Sequence, residues 1–177
     1  MELSGKKVAV LVEDEYQVLE LWYPYYRMKE AGAEAKLVGT GRTAQFKSKH
    51  GYPADAELNI ADASVSDFDA VIIPGGYAPD LMRRNPDMVK FVREMDAAGK
   101  PVAAICHAGW MIASAGIVKG RRATCFYSVK DDLQNAGANW VDEPVVVDGN
   151  LITSRVPGDL PVFCQAIIES LAKVPVG

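Results

Sequence analysis

The stretch from Pro101 to Trp110, "PVAAICHAGW", decides how this chain is read. Pro101 to Ile105 is a short apolar run of the kind buried on both faces of a parallel sheet. It passes directly into Cys106 and His107. Ala103, Ala104, Ala108 and Gly109 around them are small, as a tight strand-to-helix turn requires. A thiol on such a turn is held out at the top of the sheet, and the next residue's N–H points to the same place. A helix N-terminus there favours an anion, so the sequence leads us to expect a cysteine biased toward its thiolate. The competing reading is a small hydrophobe at a strand end, since free cysteine is among the most buried residue types. That reading suits Cys125 and Cys164, both embedded in apolar runs.

Working outward from this stretch, strands and helices alternate. "KKVAVLVE" reads as a buried parallel strand, and "YQVLELWYPYYRMKEAGA" as a helix ending near Gly32. "EAKLVGT" is a second strand. Gly41 to Ala61 reads as irregular or hairpin structure turning at "KHGYP". "FDAVIIPGG" is a third strand ending in a Pro-Gly-Gly break. "NPDMVKFVREMDAAGK" is a helix with Asn85 as cap and Pro86 in the first turn. After "PVAAIC" come a helix from about His107 to Ile117, a short strand at "RATCFY" and a helix around "VKDDLQNAGA". "EPVVVDGN" and "LITSR" form a hairpin turning at Asp148-Gly149-Asn150, and "GDLPVFCQAIIESLAK" is the last helix. This alternation indicates a doubly wound α/β sandwich over residues 1–177 as one domain.

The 177 residues carry 19 basic and 23 acidic side chains, a net charge of −4, with the basic residues scattered. Nucleic acid is therefore not the expected partner. No apolar run approaches a membrane span, and no apolar leader stretch opens the chain. Three cysteines without close spacing argue against a disulfide framework and against zinc. The expected setting is a reducing, cytoplasmic one, with no metal and no cofactor.

In doubly wound sheets ligands bind beyond the carboxyl ends of the strands. Three strands here end in chemically notable residues: Glu13-Asp14-Glu15, Pro74-Gly75-Gly76 and Cys106-His107. Adjacent ends would place the N–H groups of Gly76 and His107 as paired donors for an oxyanion beside the thiol. Glu20 lies among Leu19, Leu21 and Trp22; a carboxyl in apolar surroundings near a thiolate has its pKa raised and donates a hydrogen bond to sulfur. Pro24 leaves the Glu20 carbonyl without its usual helical partner. The only other histidine is His50, so a downstream glutaminase-type triad is excluded. The acidic cluster also suits a magnesium-binding receiver domain, but such a domain needs an aspartate where this chain has Pro74-Gly75-Gly76, and Asp67 and Asp69 lie at the wrong end of that strand.

Taken in order, "LELWYPYYRMKEAG", "KHGY", "FDAVIIPGG", "GKPVAAICH", "KDDLQNAGA", "VVVDGN" and "SRVPGDLP" resemble the ThiJ/PfpI superfamily, closest to its PfpI branch of intracellular proteases and general stress proteins. The resemblance runs from about Lys6 to Leu171. It implies a flavodoxin-like sandwich of class I glutamine amidotransferase type, mostly parallel, with helices on both faces and Cys106 as nucleophile on the elbow. It implies Glu20 as the acid bonded to the cysteine, and Gly76 and His107 as oxyanion amides. By the same resemblance, His107 completes a triad with Asp80 of a neighbouring subunit in a dimer that assembles into a hexamer. Some relatives carry the longer glutamate at that position, and many have Gly-Pro where this chain has Ala108-Gly109. The implied activity is cysteine-dependent chemistry on small reactive carbonyls or glycated proteins, of glyoxalase or deglycase type. The alternatives are a cysteine peptidase and a non-enzymatic oxidation sensor.

Overall fold

The computed structural model describes residues 1–173. In chain order the strands and helices are β1 (Lys7–Val12), α1 (Val18–Glu30), β2 (Glu34–Gly39), β3 (Gln45–Lys47), β4 (Pro53–Asp55), β5 (Leu58–Asn59), β6 (Ala70–Ile73) and α2 (Ala78–Met82). They continue with α3 (Pro86–Ala97), β7 (Val102–Ile105), α4 (Gly109–Ala115), β8 (Arg122–Ala123), α5 (Lys130–Asn135), β9 (Asn139–Trp140), β10 (Val145–Asp148), β11 (Leu151–Ser154) and α6 (Leu160–Ala172).

Seven strands form the central sheet in the order β10-β11-β7-β6-β1-β2-β5. Every pairing is parallel except the β10–β11 hairpin. The doubly wound, flavodoxin-like architecture expected from sequence is the one observed. Residues of β6 and β7 are buried throughout, which is why these runs are apolar without alternation. α1 packs with α6 on one face, and α3 packs with α4 on the other. In α6 the buried residues Leu160, Phe163, Cys164, Ile167, Ile168 and Leu171 follow the spacing of a single helical stripe. The Asn85 side chain caps α3, accepting from the N–H groups of Asp87 (2.9 Å) and Met88 (3.4 Å).

Four details depart from the expectation. α2 occupies a stretch to which the sequence assigned no element; with five residues it is too short for periodicity to mark it. The helix expected from His107 begins as a 3-10 turn over Cys106–Ala108 and is α-helical only from Gly109. The strand at "RATCFY" shrinks to β8, which pairs in parallel with β9 in a small separate sheet. The Gly41–Ala61 region contains the β3–β4 hairpin, turning at the stretch read as its turn, and adds β5 at the sheet edge.

Because β1, β6 and β7 are neighbours, their carboxyl ends do lie side by side. Two of the three acids after β1 are spent on structure. Glu13, 2 % exposed, accepts from Thr40 Oγ1, from Arg42 and from the Asp14 N–H (2.8 Å). Asp14 accepts from the Lys47 N–H at 2.8 Å and pairs with Arg42.

Candidate active site

Cys106 sits at φ +62°, in the left-handed region. A non-glycine residue held there costs on the order of 1–3 kcal/mol and persists only when its surroundings over-determine it. β7 is locked between β6 and β11 up to Ile105, and the Cys106 carbonyl accepts from the Phe126 N–H at 3.2 Å. Gly75 faces the elbow so closely that a Cβ there would lie 2.7 Å from Cys106 Cβ and 3.1 Å from the His107 nitrogen. Gly76 follows at φ +80°, where a Cβ would meet the Gln17 nitrogen at 2.6 Å. The Pro-Gly-Gly break is therefore demanded by close approach as well as by the turn.

Three groups converge on the sulfur. His107 Nδ1 lies 3.2 Å from Sγ, a contact between sequence neighbours that the strained elbow makes available. The N–H groups of His107 and Gly76 both act on it as donors. The third group is Glu20, fully buried. Its Oε2 accepts from the Gly75 N–H at 2.8 Å, while Oε1 has no hydrogen-bond partner of standard geometry. The Gln17 side chain caps α1 by accepting from the Glu20 N–H at 3.0 Å, which fixes where this acid projects.

Burial raises the Glu20 carboxyl to about 7, against the pull of its bonds to Gly75 and Cys106. Burial, followed by repulsion from an ionised Glu20, pushes the Cys106 thiol up to about 12, while the two N–H groups pull the other way. The sequence led us to expect a thiol lowered by a helix N-terminus. Here a 3-10 turn and a seven-residue helix follow the cysteine, and desolvation dominates. Cys125 and Cys164, in plain core, are also raised to about 12 by burial. What distinguishes Cys106 is that its acid neighbour, Glu20, is the second largest cause of its rise and is hydrogen-bonded to it, so that this part exists only while Glu20 is charged. With the proton on Glu20 the repulsion vanishes and Oε1–H gains an acceptor in the sulfur. A thiolate then has three donors, the two N–H groups and Oε1–H, where a Glu20 carboxylate has the Gly75 N–H and the Cys106 S–H. The two groups share their protons and titrate as a pair.

His107 is held by its ring. It stacks on Phe126 (4.9 Å between centroids, 22° between planes), meets Trp110 edge-on at 5.0 Å, and places Nε2 3.3 Å from Ser128 Oγ. Burial and then the Lys49 charge lower its pKa, leaving a neutral imidazole able to take a proton. Within the chain Asp80 sits on α2, bonded to Arg83 (3.0 Å) and to Arg84. Partial burial opposes its charge, and the bonds from Arg84, Tyr77 and Arg83 outweigh this and keep its carboxyl below the usual range. The structure thus brings Cys106, His107, Glu20 and the amide of Gly76 together, while Asp80 lies on α2 in that arginine pair.

These groups open into a cavity of about 370 Å³, walled also by Gln17, Lys49, Tyr77, Trp110, Val156 and Pro157. Lys49, Phe126 and Ser128 are among the site residues that sequence reasoning passed over. Lys49 sits in "KHGYP", read only as a turn, and the other two follow a cysteine read as core. Among the described residues no group of three or more potential metal-ligating side chains gathers, and no helix is long and apolar enough to cross a membrane.

The fold and the elbow together define a flavodoxin-like protein with a cysteine poised at the carboxyl end of its sheet. The chain belongs to the DJ-1/PfpI family, whose pattern matches residues 6–170. A deglycase of Pyrococcus abyssi is 42 % identical over 165 residues, covering 93 % of this chain and 99 % of that protein. Deglycase PfpI of Pyrococcus furiosus is 40 % identical over the same share of each. Among solved structures, a two-domain protein from Anabaena variabilis with DJ-1/ThiJ/PfpI-like and ferritin-like domains superposes with a TM-score of 0.91 at 45 % identity; the match covers 94 % of this chain and 48 % of that one. Drosophila melanogaster DJ-1beta superposes with a TM-score of 0.88 at 30 % identity, covering 96 % and 91 %.

Proposed function

We propose that this protein is a cysteine-dependent enzyme that removes small reactive carbonyls, as a glyoxalase independent of glutathione or as a deglycase of glycated groups. The observation that carries the reading is Cys106 at φ +62°, its sulfur met by Glu20, His107 Nδ1 and two backbone N–H groups at the floor of a small cavity. Relatives of near-complete coverage bear the name deglycase, which supports the same class of chemistry.

The sulfur adds to the aldehyde carbon of an oxoaldehyde, forming a C–S bond. The thiol proton passes to His107 or resides on Glu20. The carbonyl oxygen becomes an oxyanion held by the N–H groups of Gly76 and His107. In the hemithioacetal a proton moves from the former aldehyde carbon to the neighbouring carbonyl carbon, leaving a thioester of a 2-hydroxy acid. Water then cleaves the C–S bond, releasing the hydroxy acid and the thiol. The sum is oxoaldehyde plus water to hydroxy acid, with no net redox change and no cofactor. A cavity of this size suits such a molecule better than an extended peptide. The acid expected from Asp80 of a neighbouring subunit belongs to the same proposal, as does the oligomer that supplies it.

The test is methylglyoxal consumption and hydroxy-acid formation by the purified, reduced protein without glutathione. Turnover is expected in the native protein and its loss, by a factor of at least about 10³, in Cys106→Ser. Absence of turnover with Cys106 intact and reduced overturns the reading. Stoichiometric oxidation by peroxide in that case would favour a sensor, whose sulfinate would accept from the Oε1–H of a protonated Glu20.

A further inference from the structure

Lys49 is the one cation among the described residues lining the Cys106 cavity. Its position is fixed from the backbone. The Lys49 N–H donates to the Tyr16 carbonyl (3.3 Å), and the buried Ser48 before it accepts at Oγ from the N–H groups of His50 (3.1 Å) and Tyr52 (2.9 Å). The turn closes on itself through Gly51 N–H to Ser48 carbonyl at 2.8 Å. A pinned turn thus carries a flexible, charged side chain to the mouth of the site. Among the described residues its ammonium is held in no salt bridge. Its charge is nonetheless felt inside, acting on both Glu20 and His107. Glu15, the other charged side chain at the rim, is exposed and opposes it.

We propose that Lys49 is a subsite for an anionic group, so that the Cys106 cavity selects small carbonyl compounds that carry a carboxylate near the reacting carbon. In the adduct on Cys106, the oxygen goes to the N–H groups of Gly76 and His107. The other substituent of that carbon meets either the aromatic wall of Trp110 and Phe126 or the Lys49 wall. Trp110 and Phe126 take an apolar substituent and Lys49 an anionic one. Aldehydes whose neighbouring carbonyl carbon bears the carboxylate, so that the proton shift still has an acceptor, and the hydroxy-acid products themselves, are the molecules this arrangement favours. This rests on Cys106 being the nucleophile of the proposed function.

The experiment compares two alkylating agents of nearly equal shape, anionic iodoacetate and neutral iodoacetamide, with the rate at Cys106 resolved by mass spectrometry. The ratio of the two rates in the folded protein is divided by the ratio at Cys106 in the urea-unfolded chain, which removes intrinsic reactivity. The normalised ratio is expected to favour iodoacetate in the native protein and to fall about five-fold in Lys49→Met, the factor for one pair of opposite charges at a solvated rim. Lys49→Arg should restore it, and added salt should weaken it. If Cys106 reacts with both agents and the ratio is the same in the native protein and in Lys49→Met, the subsite does not exist and the nucleophile stands. If Cys106 reacts with neither while the unfolded chain does, the nucleophile reading fails and takes this inference with it.

Discussion

At the scale of single residues, Glu20 governs the site. Its carboxyl is raised to about 7 in the folded protein, chiefly by burial, from an ordinary value of 4.5 that the unfolded chain keeps. Between those values the folded state binds the more protons, so this group's contribution to stability is complete at low pH and is lost as pH rises through about 7. The size of the effect is about 3 kcal/mol, from roughly 2.5 units at 1.36 kcal/mol each. Glu20→Gln, which keeps the shape and cannot ionise, should therefore be more stable than the native protein at pH 8 and close to it at pH 4. Urea unfolding at the two pH values checks this, and an equal difference at both would refute it. The same variant removes the repulsion that raises the Cys106 thiol, so the midpoint of Cys106 alkylation against pH should move down, with Cys125 and Cys164 unmoved as internal controls. The sequence showed Glu20 as an acid among apolar neighbours and so pointed to a raised carboxyl. It did not show how far desolvation would carry the thiol, because burial depends on Gly75 and Phe126 arriving from two other segments.

At the scale of elements, the site is a junction of loops carried by strands that have little freedom. Gly75 has no room for a side chain against Cys106 and the His107 nitrogen. Gly75→Ala should lower turnover by a factor of 10² or more, on the order of what a misplacement of about 1 Å costs. Its near-native circular dichroism would assign the loss to the elbow rather than to unfolding. Away from the site, Phe163 is fully buried on α6, and Phe163→Ala should cost about 3–5 kcal/mol by urea unfolding while leaving Cys106 alkylation unchanged. The strands, the long helices and the elbow were legible because apolar runs, caps and small residues each leave a local mark. α2 and β9 were not, since elements of five and two residues are made by their tertiary surroundings. Ser128 was equally silent: nothing in "FYSVK" signals that its hydroxyl meets His107 across 21 positions.

At the scale of the whole molecule, the chemistry turns on what faces His107 Nε2. Within one chain it is Ser128 at 3.3 Å, a hydroxyl that serves either tautomer, whereas a carboxylate would fix the N–H on Nε2 and leave Nδ1 to accept the thiol proton. If Asp80 of a neighbouring subunit supplies that carboxylate, turnover per chain should fall as the protein is diluted to monomer, with the circular dichroism unchanged. Sedimentation velocity run alongside the assay checks it. Undiminished turnover in the monomer would mean that the hydroxyl suffices.

The sheet order carries one last consequence. One edge is β10, four residues folded back antiparallel on β11, and the other is β5, two residues paired with Val38 and Gly39. Neither edge offers a long run of open N–H and C=O groups to another chain. The strands most prone to stick, the apolar β1, β6 and β7, are interior and have both neighbours in place. A protein whose proposed task is to meet damaging chemistry is thus built so that, while folded, it does not template the stacking of its own copies into fibrils.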